Sequence, residues 1–265
     1  MTSSPVREAP VSEATKLEAP VLEAKDIVKE LGQGAGKVRA LKGVSLSLRA
    51  GELTLLMGPS GSGKTTLLSI LGCILTPTSG SVTLAGERVD GLDPEALAGV
   101  RRRNIGFIFQ QYNLFPTLTA LENVRLALDV RGMATAETVI RAETALREVG
   151  LGHRLHSYPR NMSGGEQQRV AVARALAGDP AVILADEPTA ALDSENGHQV
   201  MALLARIAKE KGRAVLAVTH DPRTHSYADR IVRIEDGLII GEEKRAETGE
   251  NVTRYDLTRK RKANG

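Results

Sequence analysis

Tryptophan is absent from this chain, and Phe, Tyr and Trp together make up only 3% of it. So few flat rings argue against a stacking platform for single-stranded nucleic acid. Cys73 is the one cysteine, which excludes an internal disulfide framework and any multi-cysteine metal site. No apolar run approaches the ~18 residues needed to span a bilayer. The opening MTSSPVREAPVSEATKLEAP lacks the apolar stretch of a secretory signal. Charge imbalance is missing too: 35 basic against 32 acidic residues leave a formal +3, too even to argue by itself for nucleic-acid binding. A reducing, cytosolic home is the expectation these absences leave.

The 265 residues are 42% apolar and 25% charged, an ordinary globular balance. At ~150 residues per domain this is one large domain or two small ones. Residues 1–21 are polar, with prolines at 5, 10 and 20 and no sustained period, and read as a disordered leader. Residues 242–265 end in Arg259-Lys260-Arg261-Lys262. They read as a flexible, solvated basic tail, with contact to anionic lipid or RNA as the alternative.

Between the tails, strand and helix signals alternate. Leu22 to Lys29, Val44 to Leu48, Leu53 to Met57 and Ile105 to Phe109 read as strands. Ala181 to Ala185 and Ala214 to Val218 are wholly apolar runs, as buried central strands of a parallel sheet require. Helices are expected over Lys64 to Leu75, Ala136 to Val149 and Gln167 to Ala177. Ile231 to Ile234 and Leu238 to Ile240 flank Asp236-Gly237, a two-residue hairpin signal. The pattern predicts an α/β fold with helices covering a mainly parallel sheet.

Gly58-Pro59-Ser60-Gly61-Ser62-Gly63-Lys64-Thr65 fits G-x-x-x-x-G-K-[ST], with a strand before it and a helix after it. Glycines let backbone N–H groups close around phosphate oxygens, and the helix N-terminus adds a favourable dipole. Lys64 then reaches the β- and γ-phosphates, and the Thr65 hydroxyl ligates Mg²⁺. Gly32-Gln33-Gly34-Ala35-Gly36-Lys37 is a weaker likeness, lacking the third glycine and the hydroxyl, and reads as a flexible strand connection. The strand Ala181 to Ala185 ends in two carboxylates. Beside a phosphate loop, Asp186 would hold Mg²⁺ through water, and Glu187 would orient or deprotonate the attacking water.

Asn161-Met162-Ser163-Gly164-Gly165-Glu166-Gln167-Gln168-Arg169 opens a helix. Ser163 and Glu166 form a capping-box pattern, which needs no ligand. Two glycines in the first turn weaken the helix by up to ~1 kcal/mol each against Ala, and bare backbone there suits close approach of a phosphate. Capping and ligand binding are compatible.

In these motifs and their order, the sequence resembles the ATP-binding subunits of ABC transporters over about residues 22 to 241. Gln110 resembles the Q-loop glutamine, Ala191-Leu192-Asp193 the D-loop and His220 the switch histidine. Within the family, Pro77-Thr78-Ser79-Gly80, Gln110-Gln111-Tyr112-Asn113-Leu114 and the Met162 to Glu166 signature are most similar to one branch. That branch contains the lipoprotein-release, macrolide-export and heterocyst-glycolipid-export ATPases, and a cell-division ATPase. Met162 and Glu166 stand where Leu and Gln are commonest.

The resemblance implies a P-loop NTPase (RecA-like) core with an N-terminal antiparallel β subdomain and a helical insert at about 111–165. It implies ATP and Mg²⁺ as ligands, a homodimer in the ATP-bound state, a separate integral membrane permease and a place on the inner face of the cell membrane; no nucleic acid is expected. Gly58, Pro59, Ser60, Gly61, Ser62, Gly63, Lys64, Thr65 and Thr66 would cradle the phosphates of one protomer. Ser163, Gly164, Gly165, Glu166 and Asp193 would act across the dimer. Gln110 and Asp186 would complete the metal and water shell with Thr65, Glu187 would activate water, and His220 would stabilise charge on the γ-phosphate.

The implied role is ATP hydrolysis that energises export or extraction; a mechanical partner of a membrane protein in cell division or wall control is the alternative. Members usually carry an aromatic near Leu31 to stack on adenine, yet no Tyr, Phe or Trp occurs between Met1 and Leu56. Leu31 or Val38 would then hold the base, with GTP competing better than usual. Tyr112, Leu114, Phe115 and Leu118 read either as core of the insert or as a docking cluster for a permease helix. The Arg101-Arg102-Arg103 run reads as a solvated helix end, and Cys73 as a small buried hydrophobe.

Overall fold

The computed structural model describes residues 19–245 and 251–254, so most of the leader and the basic run at 259–262 lie outside it. Two sheets organise the chain. Strands β1 (Leu22–Leu31), β2 (Val38–Leu48), β4 (Ser79–Leu84) and β5 (Glu87–Arg88) form an antiparallel sheet in the order β2-β1-β4-β5. The larger sheet adds β3 (Leu53–Met57), β6 (Ile105–Ile108), β7 (Val182–Asp186), β8 (Ala214–Val218), β9 (Arg230–Glu235), β10 (Leu238–Arg245) and β11 (Asn251–Arg254). Its order is β11-β10-β9-β3-β8-β7-β6. The five strands from β9 to β6 run parallel; β10 and β11 are antiparallel additions at one edge.

Alternation along the central strands assigns each face its own core, since successive side chains point to opposite sides of a strand. Leu56, Leu184, Leu216 and Val232 face α1 (Lys64–Leu71) and the apolar side of the antiparallel sheet, including Leu22, Ile27 and Leu41. Leu55, Ile183, Ala185, Val215 and Ala217 face the opposite cluster. That second cluster draws on α3 (Ala120–Asp129), α4 (Thr135–Glu148), α5 (Gly164–Leu176) and α6 (Ser194–Lys211). Burial of this kind contributes ~25 cal/mol per Å² of apolar surface, which is why the wholly apolar runs sit centrally.

Residues 111–165 supply α3, α4 and the mouth of α5, so the helical insert is present. Thr119 caps α3 in a reciprocal box with Glu122. The Arg101–Arg103 run is the last turn of α2 (Pro94–Asn104), begun by Asp93, whose carboxylate accepts from Ala96 N–H at 2.9 Å. Cys73 is buried, and burial pushes its thiol up to about 11.

Three expectations need correction. Helix α1 ends at Leu71 rather than Leu75, because Cys73 adopts a left-handed backbone (φ 55°) that turns the chain out of the helix. Strand β10 passes Gly241 and continues to Arg245, and β11 pairs with it where only a flexible tail was expected. Its polar composition concealed the strand: Glu243 lies 3.0 Å from Arg233 on β9, a cross-strand ion pair in place of apolar contact. Strand β2 begins at Val38, not Val44, so Leu31 and Val38 face each other across a hairpin closed by the Gly34–Gly36 turn. Among the described residues no helix is long and apolar enough to cross a membrane.

Candidate functional site

A cavity of about 900 Å³ opens where β3 meets α1, at the C-terminal ends of the parallel strands. Open α/β sheets place ligands there because loops and helix N-termini converge at those ends. Pro59, Ser60, Gly61, Gly63, Lys64, Thr65 and Thr66 line it, together with Gln110, Asp186, Glu187 and His220. The phosphate loop, the strand-end carboxylates, the β6-end glutamine and the β8-end histidine are thus brought into one wall. Gly58 and Ser62 belong to the loop without lining the cavity.

The loop geometry demands its glycine. Gly63 has φ 101°, and a Cβ there would lie 2.8 Å from the Ala40 carbonyl oxygen. The buried Lys64 ammonium donates to the Gly58 and Pro59 carbonyls at 2.8 and 2.7 Å, which centres a cation inside the loop. The Asp236-Gly237 hairpin turn, both residues at positive φ, docks on the loop through Gly237 N–H to Ser62 O at 3.0 Å. Both turn residues line the cavity; the sequence marked them as a turn and carried no sign of where that turn lands.

At the carboxylate end, Asp186 is the last residue of β7. Burial pushes its carboxyl above the usual carboxylate range, Glu187 adds to the rise, and Lys64 opposes it. Glu187 holds a left-handed backbone (φ 47°), and its Oε1 lies 2.9 Å from His220 Nδ1. Non-glycine residues in that region are strained and concentrate at functional sites. Gln168 of α5 is fully buried and donates to the Pro188 carbonyl at 2.7 Å, fixing the chain just after the acidic pair. Only its place in the signature segment singled Gln168 out beforehand.

The donors on this wall fit a magnesium–triphosphate group. Thr65 hydroxyl, Asp186 carboxylate and Gln110 amide are hard oxygen ligands, the class Mg²⁺ takes in small number beside phosphate oxygens. Among the described residues there is no cluster of three or more His, Cys, Asp and Glu that could hold a metal by itself.

Leu31, Val38, Arg39, Ala40 and Lys42 also line the cavity, and among the described residues no Phe, Tyr or Trp does. Leu31 and Val38 are 40% and 63% exposed.

Ser163, Gly164, Gly165, Glu166 and Asp193 do not reach this cavity within the chain. Ser163 caps α5, accepting from Glu166 N–H at 3.2 Å while Glu166 accepts from Ser163 N–H at 2.8 Å. The Glu166 carboxylate also meets Arg154 at 2.9 Å, and these donors, Ser163 N–H first, hold it below the usual range. Gly165 has a reason of its own inside the chain: a Cβ would fall 2.0 Å from Asn196 Oδ1. Asp193 caps α6, binding Asn196 through both carboxylate oxygens at 2.9 and 2.7 Å. Leu114 packs on the core, whereas Phe115 is 52% exposed, so the Tyr112–Leu118 cluster is not wholly core of the insert.

Residues 41–190 match the protein family described as ABC transporter. The chain is 44% identical over 242 residues to the macrolide export ATP-binding/permease protein MacB of Hyphomonas neptunium, covering 91% of this chain and 37% of that protein. Against the Escherichia coli protein of the same name it is 47% identical over 221 residues, covering 83% and 34%. The chain therefore spans about a third of the length of these relatives. An uncharacterised ABC transporter ATP-binding protein of Thermotoga maritima is 49% identical over 225 residues, 85% of this chain and 96% of that one. A dimeric ATP-binding cassette solved in a post-hydrolysis state with ADP and Pi matches with a TM-score of 0.76 and 44% identity, over 84% of this chain and 98% of that one.

Proposed function

Because the chain belongs to the ABC transporter family, we propose that it is an ATP-hydrolysing subunit that energises export or extraction through a membrane permease. The observation that carries the reading is the single cavity uniting the phosphate loop with Asp186, Glu187, His220 and Gln110. Phosphoryl transfer asks a protein mainly for positioning and electrostatic stabilisation, and this wall supplies both.

Gly61, Gly63 and the start of α1 hold the phosphates, and Lys64 turns from the loop carbonyls to the β- and γ-phosphates. Thr65 and Asp186, with Gln110, are the donors that would hold Mg²⁺, which when bound offsets charge on the phosphate oxygens. Glu187 receives the proton of the attacking water at its carboxylate. His220, already paired with that carboxylate at Nδ1, fixes its direction and stabilises charge building on the γ-phosphate.

The relation to the dimeric cassette supports a second copy as the donor of Ser163 and its neighbours to each site. That would complete what the cavity of one chain lacks and explain why Asp193 sits at a helix cap away from it. Such a subunit works at the inner face of the cell membrane, on a permease that selects the cargo.

Lys64→Ala tests the reading. ATP affinity, measured by equilibrium binding, should fall by at least an order of magnitude, since a buried charge-assisted contact is worth about 1.5–3 kcal/mol. Unaltered affinity would refute the placement of the triphosphate.

A further inference from the structure

Between β6 and α3 the chain passes through two consecutive residues in the left-handed region, Tyr112 (φ 58°) and Asn113 (φ 49°), neither of them glycine. They follow the cavity residue Gln110 by two and three positions. The guanidinium of Arg174 spans both: Nη2 donates to the Tyr112 carbonyl at 2.7 Å and Nη1 to the Asn113 carbonyl. A planar fork with fixed donors suits two neighbouring carbonyls in a way a lysine cannot reproduce. Arg174 sits near the end of α5, the helix that Ser163 begins. Farther on, Asn123 of α3, fully buried, accepts from Phe115 N–H at 2.7 Å and donates to the carbonyls of Phe115, Leu118 and Thr119. The segment after Gln110 is therefore pinned twice by side chains; at the left-handed pair Arg174 grips both carbonyls, while the Tyr112 N–H donates to the Phe109 carbonyl at 3.2 Å and the Asn113 N–H to the Gln111 carbonyl at 2.5 Å.

Tyr112 has a second contact. Its hydroxyl lies 3.5 Å from the Ala191 carbonyl and so close to Gly164 that a Cβ there would approach to 2.9 Å. The side chain of the clasped residue thus touches the opening of α5 while its carbonyl is gripped from the end of the same helix. Burial lowers the pKa of the Arg174 guanidinium, so the carbonyls are its compensation for lost water.

We propose that Arg174 is a positioning residue for the hydrolytic site: it holds Tyr112 and Asn113 in the left-handed conformation that aims Gln110 into the cavity, and so ties the glutamine to helix α5. The proposal rests on the ATPase reading and adds to it a residue that touches neither nucleotide nor metal.

The experiment measures ATP turnover and ATP equilibrium binding for wild type, Arg174→Met, Arg174→Lys, Asn113→Gly and the double variants. Wild-type turnover comes first, because its absence would end the ATPase reading rather than this one. Arg174→Met should lower kcat at least tenfold while the Kd for ATP stays within threefold. Arg174→Lys should recover little of it. Asn113→Gly alone should leave turnover within twofold. Combined with Arg174→Met it should restore kcat at least threefold, since glycine takes the left-handed region without strain. A residue with a merely structural role would lower folded yield and binding together, and glycine at 113 would not rescue it. Unchanged kcat in Arg174→Met, or no rescue by Asn113→Gly, overturns the proposal. Should Arg174→Met fail to fold, Arg174→Lys with and without Asn113→Gly gives the same decision.

Discussion

Gly165→Ala separates two explanations of the diglycine at the mouth of α5. One holds that bare backbone serves a phosphate; the other, that helix α6 packs too closely for any side chain. A Cβ at position 165 would stand 2.0 Å from Asn196 Oδ1 and 3.0 Å from Asn196 Cβ. The amide can swing away only by releasing Asp193, to which its Nδ2 donates at 2.7 Å. Overpacking of this kind costs about 1–3 kcal/mol, while alanine in a helix regains up to ~1 kcal/mol over glycine. The net loss spans about 0–3 kcal/mol and centres near 1.5 kcal/mol, which at that centre is a fall in Tm of roughly 3–6 °C for a chain of this size. Thermal unfolding followed by circular dichroism measures it without nucleotide. In an Asn196→Ala background the obstruction is gone, so Gly165→Ala should there be neutral or stabilising. Equal losses in both backgrounds, or no loss in either, would refute the packing argument and return the glycine to the ligand alone.

Three further outcomes follow from the same geometry. Asp186 carries a raised carboxyl, so the folded state favours its proton more than the unfolded state does, and its charge destabilises the fold once pH rises past the unfolded pKa. Asp186→Asn should thus raise Tm at about pH 7, with the gain fading towards about pH 4; an equal or lower Tm at neutral pH contradicts the assignment. With Leu31 and Val38 on the cavity wall in place of a ring, GTP should compete for the site with an affinity within about tenfold of ATP. Strong ATP selectivity in a competition assay would show that base recognition lies elsewhere. Glu187→Gln should lower turnover about 10²–10⁴-fold, the usual share of a general base, without weakening ATP binding; near-normal turnover would remove Glu187 from that role.

What the sequence makes legible is what lies contiguous in it. The glycine loop opening into α1, the strand ending at Asp186 and the Ser163–Glu166 capping box are each written in a few adjacent residues, and each takes the local structure expected of it. What it conceals depends on residues far apart in the chain. Arg174 meets Asn113 across 61 positions, Gln168 meets Pro188 across 20, and the Asp236-Gly237 turn docks on Ser62. None of these contacts has a local signal, because a surface turn and a docked turn use the same residues. Strand β10 was hidden for a different reason: its cross-strand partners are charged, so hydropathy drops where pairing continues. The helical capping of Asp193 was likewise unread, although Asp193-Ser194-Glu195 is a good helix start.

The central claim is that one chain holds the triphosphate while a second chain closes over it. Light scattering of Glu187→Gln with Mg²⁺ and ATP, against the same protein with ADP, tests this most directly. The account predicts twice the 28.3 kDa chain mass with ATP and a single chain with ADP. It also predicts loss of the doubled species when Ser163→Arg is added. A single-chain mass with saturating ATP, or a dimer indifferent to both nucleotide and Ser163, would contradict it.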